Sequence, residues 1–105
     1  MKDPDRIEQA IAAPSHLVTD TRAEFRKAAV EALDALPEGS GRLIADLSLT
    51  RMVDSAGLGT LILVQQHAAA RHQVVRLRGL SEEVRLLLEL TRLEDRFEIE
   101  NRTAS

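Results

Sequence analysis

The stretch "LIADLSLTRMVDSAGLGTLILV", residues 43–64, constrains the fold more than any other part of the chain. Its opening reads as a buried strand, with Leu43, Ala45 and Leu47 pointing one way and Ile44 and Asp46 the other. Asp46 is the odd member of that strand. From Leu58 onward, Leu61, Ile62, Gln65, Ala68 and Ala69 keep helical spacing until about His72. The first half of this segment is apolar nearly all round, which predicts deep packing. A buried strand leading directly into an apolar helix is the unit from which layered α/β domains are made.

The same alternation extends to both sides. Ile7, Gln9 and Ile11 alternate with Glu8 and Ala10, compatible with one short strand ending before Pro14. Thr21 with Glu24 three residues on is a capping-box signature, and Phe25, Ala29, Leu33 and Leu36 recur at helical spacing until Pro37 stops them. After the turn material "PEGSG" and the central stretch, "QVVRLRG" gives a strand with Val75 and Leu77 on one face, closed by Gly79. Ser81 is placed to cap a third helix. Glu82 and Glu83 lie in its first turn, and Val84, Leu87, Leu88 and Thr91 form its inner stripe. "RFEIE" alternates as a final edge strand. The expectation is one α/β domain over residues 1–105, a single sheet of mixed strand direction flanked by helices, with residues 1–6 and 101–105 as flexible ends.

Size and charge exclude several functions. A chain of 105 residues holds one ordinary core and has no room for a second domain. Its net charge of -3 and lack of Tyr and Trp argue against a nucleic-acid partner. Without cysteine there are neither disulfides nor thiolate metal sites. The apolar run from Leu61 to Val64 is far too short to span a bilayer, and residues 1–14 lack the pattern of a secretion signal, so a cytoplasmic protein with no membrane contact is expected. His67 and His72 are five apart and diverge on a helix, which argues against a metal pair there.

Ser55, between Asp54 and two glycines, invites a chemical reading. The nucleophile elbow of hydrolases is absent, because Val53 stands where its first glycine belongs. "GLG" does not extend to a dinucleotide fingerprint, and no P-loop lysine follows. If the helix starts at Ser55 or Ala56, the hydroxyl sits beside orphan amide hydrogens and the positive end of the helix dipole. A phosphate there would add about -1.5 to -2 charges that backbone donors can receive. Gly57 and Gly59 would then be a bare surface for close approach by another protein. The plainer reading is that Ser55 caps the helix, with Asp54 as the alternative cap and the glycines relieving crowding against a neighbouring strand.

In this context "DSAGLG" resembles the D-S-x-G-L-G motif of the STAS domain, and within it of the bacterial anti-sigma factor antagonists. The resemblance runs from about Pro14 to Ile99 and includes "LELTRLEDRF", similar to the family's L-x-x-T-x-L-x-x-x-F. It implies a partner switch. The unphosphorylated protein would bind an anti-sigma factor that is also a GHKL-type serine kinase, freeing a sigma factor for transcription. The kinase would phosphorylate Ser55 using ATP, the complex would part, and a PP2C-type phosphatase would reset the system. By motif, Asp54, Ser55, Ala56, Gly57, Leu58 and Gly59 would lie in the partner surface, with no catalytic residue, cofactor or metal of the chain's own. The chain departs from the family at its opening, which reads as one strand in place of two, and its "PSHLVTD" replaces a G-x-L-D turn. A missing strand would leave an edge able to pair with a second copy. The alternative is an unswitched STAS module that serves as a scaffold subunit or binds a small ligand such as a nucleotide.

Overall fold

A computed structural model describes residues 6–100. Among these, six strands and three helices follow one another as β1 (Ile7–Ala12), β2 (His16–Leu17), α1 (Arg22–Ala35), β3 (Gly41–Asp46), β4 (Met52–Val53), α2 (Ser55–Ala70), β5 (Val74–Arg78), α3 (Glu82–Leu90) and β6 (Glu98–Ile99), with a short 3-10 turn at Glu94–Arg96. The expected flexible ends fall outside the described residues except for Arg6, whose guanidinium donates to the Gly41 carbonyl at 3.3 Å.

The main sheet has the order β1-β3-β5-β6, and α1 and α2 pack against β3 and β5. The α/β class and the helix-flanked sheet are as expected, but strand direction and sheet number are not. Ile7 pairs with Gly41, Arg42 with Val74 and Arg76 with Glu98, and each of these pairings is parallel. A helix intervenes between every pair of sheet neighbours, and such a crossover returns the chain to the end of the sheet at which the preceding strand began, so that the next strand runs parallel to it. A separate parallel ribbon joins β2 to β4, with His16 opposite Met52 and Leu17 opposite Val53. The opening therefore holds two strands. Two-residue strands carry no periodicity, so β2 and β4 leave no trace in the hydrophobic pattern.

The helices begin and end for local reasons. α1 buries Phe25, Ala29 and Leu33 and stops at Leu36, whose extended backbone is what a residue before proline adopts. Its expected capping box does not form: Thr21 accepts from the Val18 amide at 3.0 Å and donates to the His16 carbonyl, closing the turn out of β2. Ser81 does cap α3, accepting from the Val84 amide at 3.1 Å. The inner stripe of α3 is narrower than expected: Val84 and Leu88 are buried, Leu87 is half-buried, and Thr91 is exposed and bonds back to the Leu87 carbonyl.

One apolar cluster runs from Leu17 through Phe25, Leu43, Leu61 and Leu77 to Phe97. The opposite register of the sheet carries charge. Arg42, only 4% exposed, donates to Glu8 at 2.7 Å and lies 2.9 Å from Glu98; Arg76 also holds Glu98, and Arg78 pairs with Glu100 at 3.1 Å. Burial disfavours the Arg42 charge, but the hydrogen bonds to Glu98 and Glu8 outweigh it and hold the guanidinium pKa above its ordinary value. This ladder ties all four strands together across one face.

Candidate functional site

The site forms where β4 passes into α2. Asp54 is the N-cap: its backbone is extended and its carboxylate accepts from the Gly57 amide at 2.8 Å. Of the two caps considered from sequence, the aspartate serves and the serine does not. Ser55 is the first helical residue, exposed, and among the described residues its hydroxyl has no hydrogen-bond partner. It stands at the positive end of a sixteen-residue helix, where the amides of the first turn lack intrahelical acceptors.

The two glycines differ. Gly57 is buried, and a Cβ added to it would come within 1.9 Å of the Leu17 carbonyl oxygen. The expectation that Gly57 is a bare surface for a partner is therefore corrected: it lets α2 touch β2, which is the crowding-relief reading. A Cβ added to Gly59 would meet no heavy atom within 4 Å, which fits the open-surface reading. Leu58 is half-buried and packs against the core, and Ala56 is half-buried with its carbonyl accepting from Thr60 at 3.0 Å. Of the six residues expected in the partner surface, only Ser55 is exposed, and of the two glycines Gly59 is the one with open space above it; Asp54 caps, and Gly57 and Leu58 face inward.

The link before the site is held firmly. Asp46, the odd member of its strand, accepts from the Ser48 amide at 2.9 Å. Hydrogen bonds from Ser48, with the charge of Arg78 helping and burial opposing, hold its carboxyl below the usual aspartate pKa. The buried Thr50 hydroxyl donates to the Pro14 carbonyl at 2.8 Å, and the Arg51 amide to that of Ser15 at 2.7 Å. Anchored this way, the link leaves Leu49 72% and Met52 52% exposed, and Leu63 on α2 is 48% exposed. The expectation of deep packing throughout the first half of α2 fails at Leu63. These three apolar residues escaped the sequence reading because solvent exposure of a leucine has no local signature.

Among the described residues no catalytic constellation surrounds the serine. His67 pairs with Asp34 at 2.8 Å, bracing α2 against α1; His16 touches Ser15; and His72 follows α2 with a φ of 56°. Nor, among the described residues, is any group of three or more His, Cys, Asp or Glu placed to hold a metal ion, and no helix there is long and apolar enough to cross a membrane. A cavity of about 490 Å³ is lined by Arg85, Glu89, Glu94, Phe97 and Ile99, none of them at the start of α2.

Known proteins place this architecture. The fold is similar to that of a Thermotoga maritima protein assigned as an anti-sigma factor antagonist, at 19% identity and a TM-score of 0.70, over 90% of this chain and 81% of that one. It is similar to a sulfate transporter family protein from Wolinella succinogenes at 14% identity and a TM-score of 0.69, over 93% and 87% of the two chains. The anti-sigma factor antagonist SpoIIAA in its unphosphorylated form matches at 15% identity and a TM-score of 0.68, over 98% of this chain and 86% of that one. At these identities the likeness establishes the fold. Family membership rests on a match of residues 2–100 to the family described as "Mlab, STAS domain", and with that match the chain belongs to the STAS domain family.

Proposed function

We propose that the chain is a single-domain, cytoplasmic partner-switching module of the anti-sigma factor antagonist kind, with Ser55 as its phosphoacceptor. The observation that carries the reading is the division of labour at the start of α2: Asp54 caps the helix, and the Ser55 hydroxyl is left exposed and unbonded among the described residues. A serine committed to capping would have to give up a hydrogen bond to react; this one does not. The exposed Leu49 and Met52 ahead of α2 and Leu63 on it, with open space above Gly59, offer apolar contact to a partner. A phosphate on Ser55 places a dianion in such a contact, and the desolvation cost drives release. The partner is a GHKL-type anti-sigma factor serine kinase, and a PP2C-type phosphatase restores the binding form. The outer edge of β1, where Ile7 is exposed, is the edge a second copy would use in a homodimer.

Mixing the purified protein with candidate GHKL-type kinases and ATP tests this directly. One added phosphate in the intact mass, absent from Ser55→Ala, is the expected result, with Ser55→Asp binding the same kinase more weakly than Ser55→Ala. Equal affinities of the two variants, or no phosphate from any active kinase, would sink the switch. The likeness to a sulfate transporter family protein favours a second reading, an unswitched STAS subunit held by a larger partner through the same surface. That reading gains if complexes form and Ser55 stays unmodified.

A further inference from the structure

Further along α2 from the serine, α1 and α2 enclose a groove of about 150 Å³ lined by Arg22, Ala23, Arg26, Thr60 and Leu63. Its apolar part is Ala23 and the half-exposed Leu63, enough to seat a single aliphatic side chain. Its rim is cationic. Arg22 and Arg26 are four apart on α1, hence on the same side of the helix, and both are exposed. Among the described residues neither is in an ion pair, a state they share with Arg51, Arg85, Arg92 and Arg96, whereas Arg42, Arg71, Arg76 and Arg78 are held by carboxylates. Of the nearby acids, Asp54 caps α2, Glu24 lines the other flank of α1 with Phe25, Asp34 is bound to His67 and Arg71 further along the helix pair, and Glu31 lines an adjoining groove with Ala23, Arg26 and Lys27 without an ion pair to any described residue. Asp20 is exposed just ahead of α1. Two neighbouring guanidiniums with no carboxylate at ion-pair distance among the described residues repel each other and break no internal ion pair when a partner's carboxylates arrive.

Ser55, Gly59 and Leu63 are spaced by four on α2 and form one stripe running from the serine to the groove. We infer that the groove docks a partner protein segment of defined chemistry: an amphipathic acidic helix that seats an aliphatic side chain against Leu63 and Ala23 and offers carboxylates to Arg22 and Arg26. The inference deepens the reading of this end of the fold as a partner surface and rests on it, though not on phosphate transfer. It adds a reason for release, since a dianion on Ser55 repels a partner that arrives carboxylates first.

The test needs neither kinase nor ATP. The full chain, labelled with nitrogen-15, is titrated with an amphipathic helical peptide carrying leucines on one face and glutamates on the other, and separately with its lysine twin. Amide shifts at Ala23, Arg26, Thr60 and Leu63 with the glutamate peptide alone are expected, together with roughly tenfold weaker binding by a folded Arg26→Glu variant. Equal binding of the two peptides, no binding of either, shifts confined to other surfaces, or unchanged affinity in Arg26→Glu would overturn the inference. Failure here alongside successful phosphorylation of Ser55 would leave the switch standing and remove only the acidic partner.

Discussion

At the residue scale, two glycines in one motif do opposite work. Gly57 is where α2 rests on the Leu17 carbonyl, and Gly59 opens onto empty space. Gly57→Ala should therefore destabilise by about 1–3 kcal/mol or more as β2 is forced off the helix. Gly59→Ala should stabilise by up to about 1 kcal/mol, because alanine is the better helix former and meets nothing. Chemical denaturation of the two variants reads both signs, and a matching loss in each would show that the contact at Leu17 is not what Gly57 provides. The D-S-x-G-L-G spacing was legible in the sequence. Which glycine touches the protein and which touches solvent was not, because the answer depends on β2, a strand of two residues with no pattern of its own.

At the element scale, α2 joins core and site in a single helix. Leu61 and Val64 are each 1% exposed, so Leu61→Ala removes buried methyl groups from the central cluster and should cost about 2–5 kcal/mol. Asp54→Ala removes the cap and should cost about 1 kcal/mol, without the cavity term. Urea titrations of both variants rank the two effects. A reversal of that order would mean that the helix is held mainly at its start. Helical spacing located α2, α1 and α3 to within a few residues because each buries a stripe against the sheet. It misjudged the first half of α2 as deeply packed: a segment apolar nearly all round still turns one side outward when its cover, here α1, β5 and the β2–β4 ribbon, leaves part of it open.

At the scale of the whole molecule, charge on one sheet face and apolar side chains on the other are consequences of the same period-two alternation. Arg42, Arg76 and Arg78 from two central strands meet Glu8, Glu98 and Glu100 from the two edges of the sheet, so the ladder closes it from β1 to β6. At its corner Asp46 has a carboxyl pKa held below the ordinary 3.8 by the Ser48 hydrogen bonds and, more weakly, by the charge of Arg78. A depressed folded value means that this stabilisation is fully present above the unfolded pKa and is lost as pH falls through the folded one. Stability should thus decline on acidification below about pH 4, and Asp46→Asn should flatten that decline; an unchanged acid limb in the variant would assign the loss to other groups. By itself the sequence determined the α/β class, the order of the major elements and the candidate serine. These follow from local chemistry: hydrophobic period, proline and glycine stops, and a motif in its strand-to-helix setting. The tertiary structure alone decided strand direction, the β2–β4 ribbon, the choice of Asp54 over Ser55 as cap, and the pairing of arginines with carboxylates. Strand partners and ion pairs join residues distant in the chain, and the cap is chosen by how the β4–α2 junction sits against β2; only the packed chain brings those atoms within reach.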